Sequence, residues 1–90
     1  DLTVKGNSIA RELAMVKVAG TGDKRNEALR IADAFRARVI DATTGSFIFE
    51  ITGKPDKVDQ FIALMMPLGL IEVARTGVAG ITRGAEAMKV

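Results

Sequence analysis

The chain repeats part of its own pattern at an offset of 33 positions. Residues 20–24 recur as residues 53–57, and each segment has glycine first, aspartate fourth and lysine fifth. The apolar run over 13–19 is matched in the same way by residues 46–52. Repeat arrays of similar period are built from helical units and need about three or more copies. Two copies that each contain strand segments therefore predict one closed unit built around a single sheet.

Each half of the repeat has the pattern of a strand, a helix and a second strand. Strands are predicted at 11–19, 38–42, 46–52 and 70–76, and helices are predicted to begin near Asp23 and Pro55. Apolar residues three and four positions apart indicate the buried side of each helix. They are Ala28, Ile31, Ala32 and Phe35 in the first helix, and Val58, Phe61, Ile62 and Met65 in the second. A Thr-Thr-Gly turn at 43–45 predicts a hairpin between the second and third strands.

This order of elements predicts an α+β fold of the ferredoxin-like βαββαβ type, a four-stranded antiparallel sheet backed by two helices. The first and third strands are apolar on both faces, so they are expected in the middle of the sheet. The shorter second and fourth strands carry charges and are expected at the edges. We expect the domain to span residues 11–77, with a linker or N-terminal extension at 1–10 and a C-terminal tail at 78–90.

The sheet face opposite the helices is expected to be partly apolar. The alternation of the first and third strands assigns one set of residues to the helices, namely Val16, Val18, Phe47, Phe49 and Ile51. It leaves another set on the far side, namely Leu13, Met15 and Ile48. Exposed apolar patches usually mark partner sites. The alternative is that the tail covers this face, because it holds Val78, Ile81 and Met88.

The composition weighs against an enzyme and against several kinds of partner. The 90 residues suffice for one domain, and 13 basic residues nearly balance 11 acidic ones, which disfavours nucleic acid or an anionic membrane as a partner. Histidine, cysteine and tyrosine are absent, so the usual acid-base, nucleophilic and transition-metal groups are missing. The longest uncharged stretch is too short to span a membrane. We therefore expect neither catalysis nor a bound cofactor or metal in this chain.

The loop at residues 20–25 leaves one alternative open. Backbone N–H groups and two cations at a helix N-terminus can bind phosphate, but the full P-loop pattern is absent, and a tight turn explains the glycines. An RNA-recognition module has the same element order, yet the first strand lacks the aromatic that would stack on a base. The second function class that stays open is a stand-alone sensor that binds an amino acid or nucleotide at this loop or between sheet edges.

Four separated segments resemble one known family. They are residues 11–18, 35–41, 52–59, and 71–77 with 82–84. In collinear order from about Ala10 to Gly84, they are similar to the C-terminal domain of the small regulatory subunit of acetolactate synthase, also called acetohydroxyacid synthase. The sequence departs from the family pattern in the first loop and around residues 65–67 of the second helix.

The resemblance implies a non-catalytic regulatory role in branched-chain amino-acid biosynthesis, the route to valine, isoleucine and leucine. In that family the large subunit holds thiamine diphosphate, magnesium and FAD, whereas the small subunit raises its activity and confers feedback inhibition. The effector is bound mainly by an N-terminal ACT domain, so we expect this chain by itself to lack the principal valine site. The implied partners are a second copy, the catalytic subunit and that ACT domain. The implied location is the cytoplasm of a bacterial cell, or an organelle in a eukaryote.

Strand-borne charges are the expected polar part of these contacts. The candidate interface residues are Arg11, Glu12, Lys17, Glu72, Arg75 and Arg83. For each of them the alternative is a solvated edge or an intramolecular ion pair, which contributes about 0–1 kcal/mol when exposed.

Overall fold

Five strands and two α-helices account for most of residues 8–85, the part of the chain that this computed structural model describes. In chain order the elements are β1 (Ser8–Val18), α1 (Asp23–Ala34), β2 (Arg38–Ala42), β3 (Phe47–Gly53), α2 (Pro55–Met65), a 3-10 turn (Met66–Leu68), β4 (Leu70–Arg75) and β5 (Ala79–Thr82). The main sheet has the order β2-β3-β1-β4, and every pairing in it is antiparallel. The ferredoxin-like prediction is confirmed, with the first and third strands in the middle.

The two helices begin and end at residues whose backbone preferences suit those positions. Asp23 lies in the first turn of α1, where a carboxylate is favoured by the partial positive charge of the helix N-terminus. Pro55 opens α2, because its missing N–H has no intrahelical partner at that position. Gly69 has a φ of 101° and follows the 3-10 turn, so the chain can reverse directly into β4.

One face of the sheet packs on the helices and forms the core. Alternate residues of β1 and β3 are buried on this face, because side chains of a strand point to opposite sides. Phe49 of β3 meets Phe61 of α2 edge to face at 6.0 Å between ring centroids. The core residues are Ala14, Val16, Val18, Phe47, Phe49 and Ile51 from the sheet, and Ala28, Ala32, Val58, Phe61 and Met65 from the helices. The predicted inward set of strand residues is confirmed.

The two ends of the domain differ from the predicted bounds. β1 begins at Ser8, inside the expected linker, and the expected tail contains β5. The reason is that β5 follows β4 along the same edge of β1: Ala14 lies opposite Arg75 and Arg11 opposite Ala79. The step of three positions from Ala14 to Arg11 on β1 therefore corresponds to a step of four positions, from Arg75 to Ala79, on the paired edge. Gly77 lies between β4 and β5 and has a φ of 84°. Residues 1–7 of the expected linker and residues 86–90 of the expected tail lie outside the described part.

The described part of the tail lies beside β1 and does not cover the sheet. Residues 79–82 pair with Ser8–Arg11 as a two-stranded ribbon. Val78 and Ile81, which we considered as a possible cover, are 58% and 71% exposed. Met88, the third residue of that alternative, lies outside the described residues. Neither α-helix within residues 8–85 has the length and apolar character needed to cross a lipid bilayer.

Candidate interaction surface

The sheet side opposite α1 and α2, here called the open face, carries a shallow groove. Met15, Lys17, Ile48, Glu72 and Ala74 line it. In the strand register Met15 lies opposite Ala74, and Lys17 lies opposite Glu72. Met15 is 42% exposed. The predicted apolar patch on this side is therefore confirmed for Met15 and Ile48, whereas Leu13 does not line the groove, and an ion pair borders it.

The charges in the groove neutralise each other across two strands. Lys17 Nζ lies 2.8 Å from Glu72 Oε1, and both side chains are partly exposed. The hydrogen bond from Lys17 holds the pKa of Glu72 below its ordinary value. Since the pair forms within one chain, neither residue presents an unpaired charge to a partner. The groove therefore presents an apolar surface, and the charges of Lys17 and Glu72 at its border neutralise each other.

A second ion-pair cluster ties β1 to β4 and α2 on the helix side of the sheet. Arg75 donates from Nε to Glu12 Oε2 at 3.0 Å and from Nη2 to Glu12 Oε1 at 2.5 Å. The Gly77 N–H also donates to Glu12 Oε2, at 3.2 Å. Arg75 Nη1 lies 2.8 Å from Asp59 Oδ1 on α2. Glu12 is only 4% exposed, so its charge is used inside the domain.

This cluster shifts the protonation equilibria of both central groups. The Arg75 hydrogen bond holds the pKa of Glu12 below its ordinary value, although burial acts in the opposite direction. The carboxylates of Glu12 and Asp59 raise the pKa of Arg75. Both residues are therefore charged over the whole neutral range.

The six candidate interface residues do not gather at one site. Lys17 and Glu72 lie on the open face. Glu12 and Arg75 belong to the ion-pair cluster on the helix side, where only Glu12 is buried. Arg11 and Arg83 are exposed near the ribbon. Four of the six thus form intramolecular ion pairs, which was the stated alternative. Asp59 was missed as a partner of Arg75, because no spacing along the chain indicates that these two positions of α2 and β4 meet.

The loop at residues 20–25 is a tight turn whose arginine is used internally. The Arg25 guanidinium lies 4.0 Å from the centroid of the Phe47 ring and donates to the Thr43 carbonyl oxygen at 3.3 Å. A methyl group on Gly20 would lie 3.2 Å from the Arg25 Cα, which is a tight contact with the backbone of the helix start. These contacts favour the structural interpretation of the loop over a phosphate site.

The Glu12–Arg75 pair should make stability depend on acid pH. Because folding lowers the pKa of Glu12, the stabilisation is complete above the ordinary glutamate pKa of about 4.3 and is lost as the pH falls through the lower folded-state value. We expect Arg75→Gln to raise the pKa of Glu12 and to move acid unfolding to higher pH. Carbon-13 NMR titration of the Glu12 carboxyl, together with circular dichroism, measures both effects.

The matched control is Arg11→Gln, which removes an exposed arginine whose guanidinium donates to the Ala10 carbonyl oxygen. This variant should leave the Glu12 titration where it is. The assigned cause of the shift would be wrong if Glu12 titrated at the same pH with and without Arg75.

Comparison with known proteins places the chain in one family. The model of the family described as "Small subunit of acetolactate synthase" matches residues 11–84. The probable acetolactate synthase small subunit of Archaeoglobus fulgidus is 44% identical over 78 residues, which cover 87% of this chain and 49% of that protein. The acetolactate synthase small subunit of Bacillus subtilis is 37% identical over 78 residues, covering 87% and 45%.

A solved structure agrees with these sequence matches. The crystal structure of the acetolactate synthase small subunit from Thermotoga maritima has a TM-score of 0.84 and 35% identity, covering 92% of this chain and 51% of that one. The chain spans about half the length of the relatives it matches. The shared fold and the match over residues 11–84 lead to one conclusion: the chain belongs to the family of acetolactate synthase small subunits.

Proposed function

We propose that the chain is a non-catalytic regulatory and assembly domain of an acetolactate synthase small subunit. It supports dimerisation and contributes to activation or feedback control of the catalytic subunit in branched-chain amino-acid biosynthesis. The catalytic subunit holds thiamine diphosphate, magnesium and FAD, and this chain holds none of them. The intact small subunit adds an ACT domain. The complex works in the cytoplasm, or in an organelle of a eukaryote.

The observation that carries this proposal is the family match over residues 11–84. The matched residues include the sheet from Arg11 onward, both helices and β5. The open face therefore belongs to the part of the fold that the relatives share. The relatives are named small subunits, which implies a larger catalytic partner.

The open face is the surface that we assign to the catalytic subunit. Met15 and Ile48 form its apolar centre, and paired charges lie around them. One pair is Lys17–Glu72, and Arg38 Nη1 lies 3.7 Å from Glu50 Oε1 on the other side. Interfaces typically have an apolar centre with few charges and a polar, solvated rim. A partner with a matching apolar patch could therefore bind without leaving an unpaired charge buried.

Met15→Lys should weaken binding of the catalytic subunit about tenfold or more, because it places an unpaired charge at the centre of the proposed contact. The test is co-purification of the whole chain with the large subunit of the same organism, followed by assay of the rate of acetolactate formation. Leu64→Lys is the matched control: Leu64 is 44% exposed on α2, compared with 42% for Met15 on the sheet. It should leave binding within about twofold.

Two results would count against the proposal. If the unmodified chain neither binds the large subunit nor changes its rate, only a structural role remains. If, in addition, valine or ATP produced NMR shifts clustered at residues 20–25, the small-ligand sensor would replace the regulatory domain as the better explanation.

A further inference from the structure

The outer edge of β2 is an unpaired border of the sheet. Within residues 8–85, β2 pairs with β3 on one side and no strand pairs with its other side. All five residues of β2 are exposed. Val39 is 47% and Ile40 43% exposed, so two neighbouring large apolar side chains face solvent on this strand. Such an edge presents free backbone N–H and C=O groups and can pair with another strand.

The sequence of β2 is complementary to itself in the antiparallel direction. Its first four residues are Arg38, Val39, Ile40 and Asp41. When a second copy runs in the opposite direction, Arg38 can lie opposite Asp41 of the partner subunit, and Val39 opposite Ile40 of the partner subunit. Opposite charges meet at both ends and apolar side chains meet in the middle. Opposed pairs of this kind are the ones that stabilise antiparallel strands.

An irregularity in β2 makes this register possible. Arg38 lies opposite Glu50 and Asp41 lies opposite Ile48 on β3, with a register shift around Ile40. Glu50 and Ile48 are two positions apart and therefore point to the same side of the sheet, so Arg38 and Asp41 do as well. In a regular strand they would point to opposite sides, because they are three positions apart. Two residues that lie opposite each other in neighbouring strands have to point to the same side of the sheet. The extra residue, Ile40, places Arg38 and Asp41 on the same side.

We propose that β2 pairs with β2 of a second copy, so that two four-stranded sheets become one continuous sheet. The pairing is isologous, as a two-fold dimer requires, and forms the Arg38–Asp41 contact twice. Arg38 is available for it, because its side chain is 78% exposed and its nitrogen lies 3.7 Å from Glu50. This inference rests on the proposed function and deepens it by naming the dimer surface, and it leaves Met15 and Ile48, the apolar centre of the open face, free for the catalytic subunit.

Charge reversal tests the proposal sharply. Arg38→Asp places Asp opposite Asp at both contacts, and Asp41→Arg places Arg opposite Arg. Each variant alone should raise the dimer dissociation constant of the whole chain about tenfold or more, as measured by sedimentation equilibrium. An equimolar mixture of the two variants should form a heterodimer with opposite charges at both contacts. The double variant Arg38→Asp/Asp41→Arg should also dimerise like the unmodified chain.

The matched control is Arg30→Asp on α1. Arg30 is 75% exposed and is paired with a glutamate of its own chain, Glu27, just as Arg38 is paired with Glu50. This control should leave the dimer unchanged, and thermal unfolding followed by circular dichroism confirms that each variant is folded. The double variant and the mixture keep the test valid if one single variant folds poorly.

Several outcomes would overturn the inference. They are a monomeric unmodified chain at high concentration, a dimer that neither reversal weakens, and a mixture that does not restore association. Protection from hydrogen exchange, in the monomer, of the β2 amides on the side away from β3 would also overturn it, since another segment of the same chain would then occupy the edge. A monomer that still activates the large subunit would refute this surface and the dimerisation part of the proposed function, and would leave its regulatory part intact. A β2 dimer that fails to bind the large subunit would support this surface and refute the regulatory part of the proposed function.

Discussion

Replacing Phe61 by alanine is expected to lower the free energy of unfolding by about 3–5 kcal/mol. The Phe61 side chain is fully buried, and it contacts aromatic rings of the sheet and of the residue that ends α1. Its ring centroid lies 6.0 Å from that of Phe49 and 5.6 Å from that of Phe35. Alanine would leave a cavity at the point where three elements meet. Urea unfolding followed by circular dichroism measures the loss.

Leu64→Ala is the control for this prediction, because Leu64 lies on the same helix but is 44% exposed. Its cost should stay below about 1 kcal/mol. A domain of this size has roughly 5–15 kcal/mol of stability in total, so Phe61→Ala could leave a large unfolded fraction. Phe61→Leu retains part of the volume and should give an intermediate, measurable loss. Equal costs for Phe61→Ala and Leu64→Ala would show that the aromatic cluster does not carry the packing described above.

Gly69→Ala should lower the free energy of unfolding by about 3 kcal/mol or more, because it combines a steric clash with backbone strain. A Cβ atom at Gly69 would lie 2.3 Å from the Ala19 carbonyl oxygen, which belongs to the backbone and cannot easily move. The φ of 101° is also unfavourable for alanine. At this position the start of β4 meets the end of β1, and the Ala19 N–H donates to the Gly69 carbonyl oxygen at 2.7 Å.

Alanine variants at two other glycines distinguish the cost of the steric clash from the cost of the backbone strain. Gly77 has a φ of 84°, and no atom lies within 4 Å of the place where an alanine methyl group would be, so Gly77→Ala should cost only the backbone strain, about 1–2 kcal/mol. Gly45 has open space and no positive φ, so Gly45→Ala should change stability by no more than about 0.5 kcal/mol. Chemical denaturation of all three variants gives the comparison. A loss for Gly69→Ala no larger than that for Gly77→Ala would rule out the close approach.

The internal repeat predicted the core of the sheet more closely than it predicted the helices. The buried positions of β1, Ala14, Val16 and Val18, correspond at the 33-residue offset to the buried positions of β3. These residues are Phe47, Phe49 and Ile51. By the same offset Leu64 corresponds to Ile31, yet Ile31 packs against the core and Leu64 is exposed. The spacing within α2, which indicated Phe61 and Met65, predicted its buried side correctly.

The ion pairs show where prediction from the sequence stopped. Glu12, Asp59 and Arg75 come from three separate segments, and they meet because β4 pairs with β1 and α2 packs on the helix side of β1. The sequence indicated charges on the strands, but it did not indicate which of them would be paired within the chain. The ribbon of β1 and β5 was missed for a similar reason, since the glycine-containing segment at 79–82 forms a strand only beside Ser8–Arg11.

The sequence by itself determined the four strands of the main sheet, the two helices, their order, and the inward side of the central strands and the helices, because alternation and helical spacing are local properties of the chain. The tertiary structure alone decided which charges pair, how far β1 extends, and that Arg38 and Asp41 share one side of β2. These features depend on distances and register between segments far apart in the chain, where a shift of one residue reverses the side on which a side chain lies.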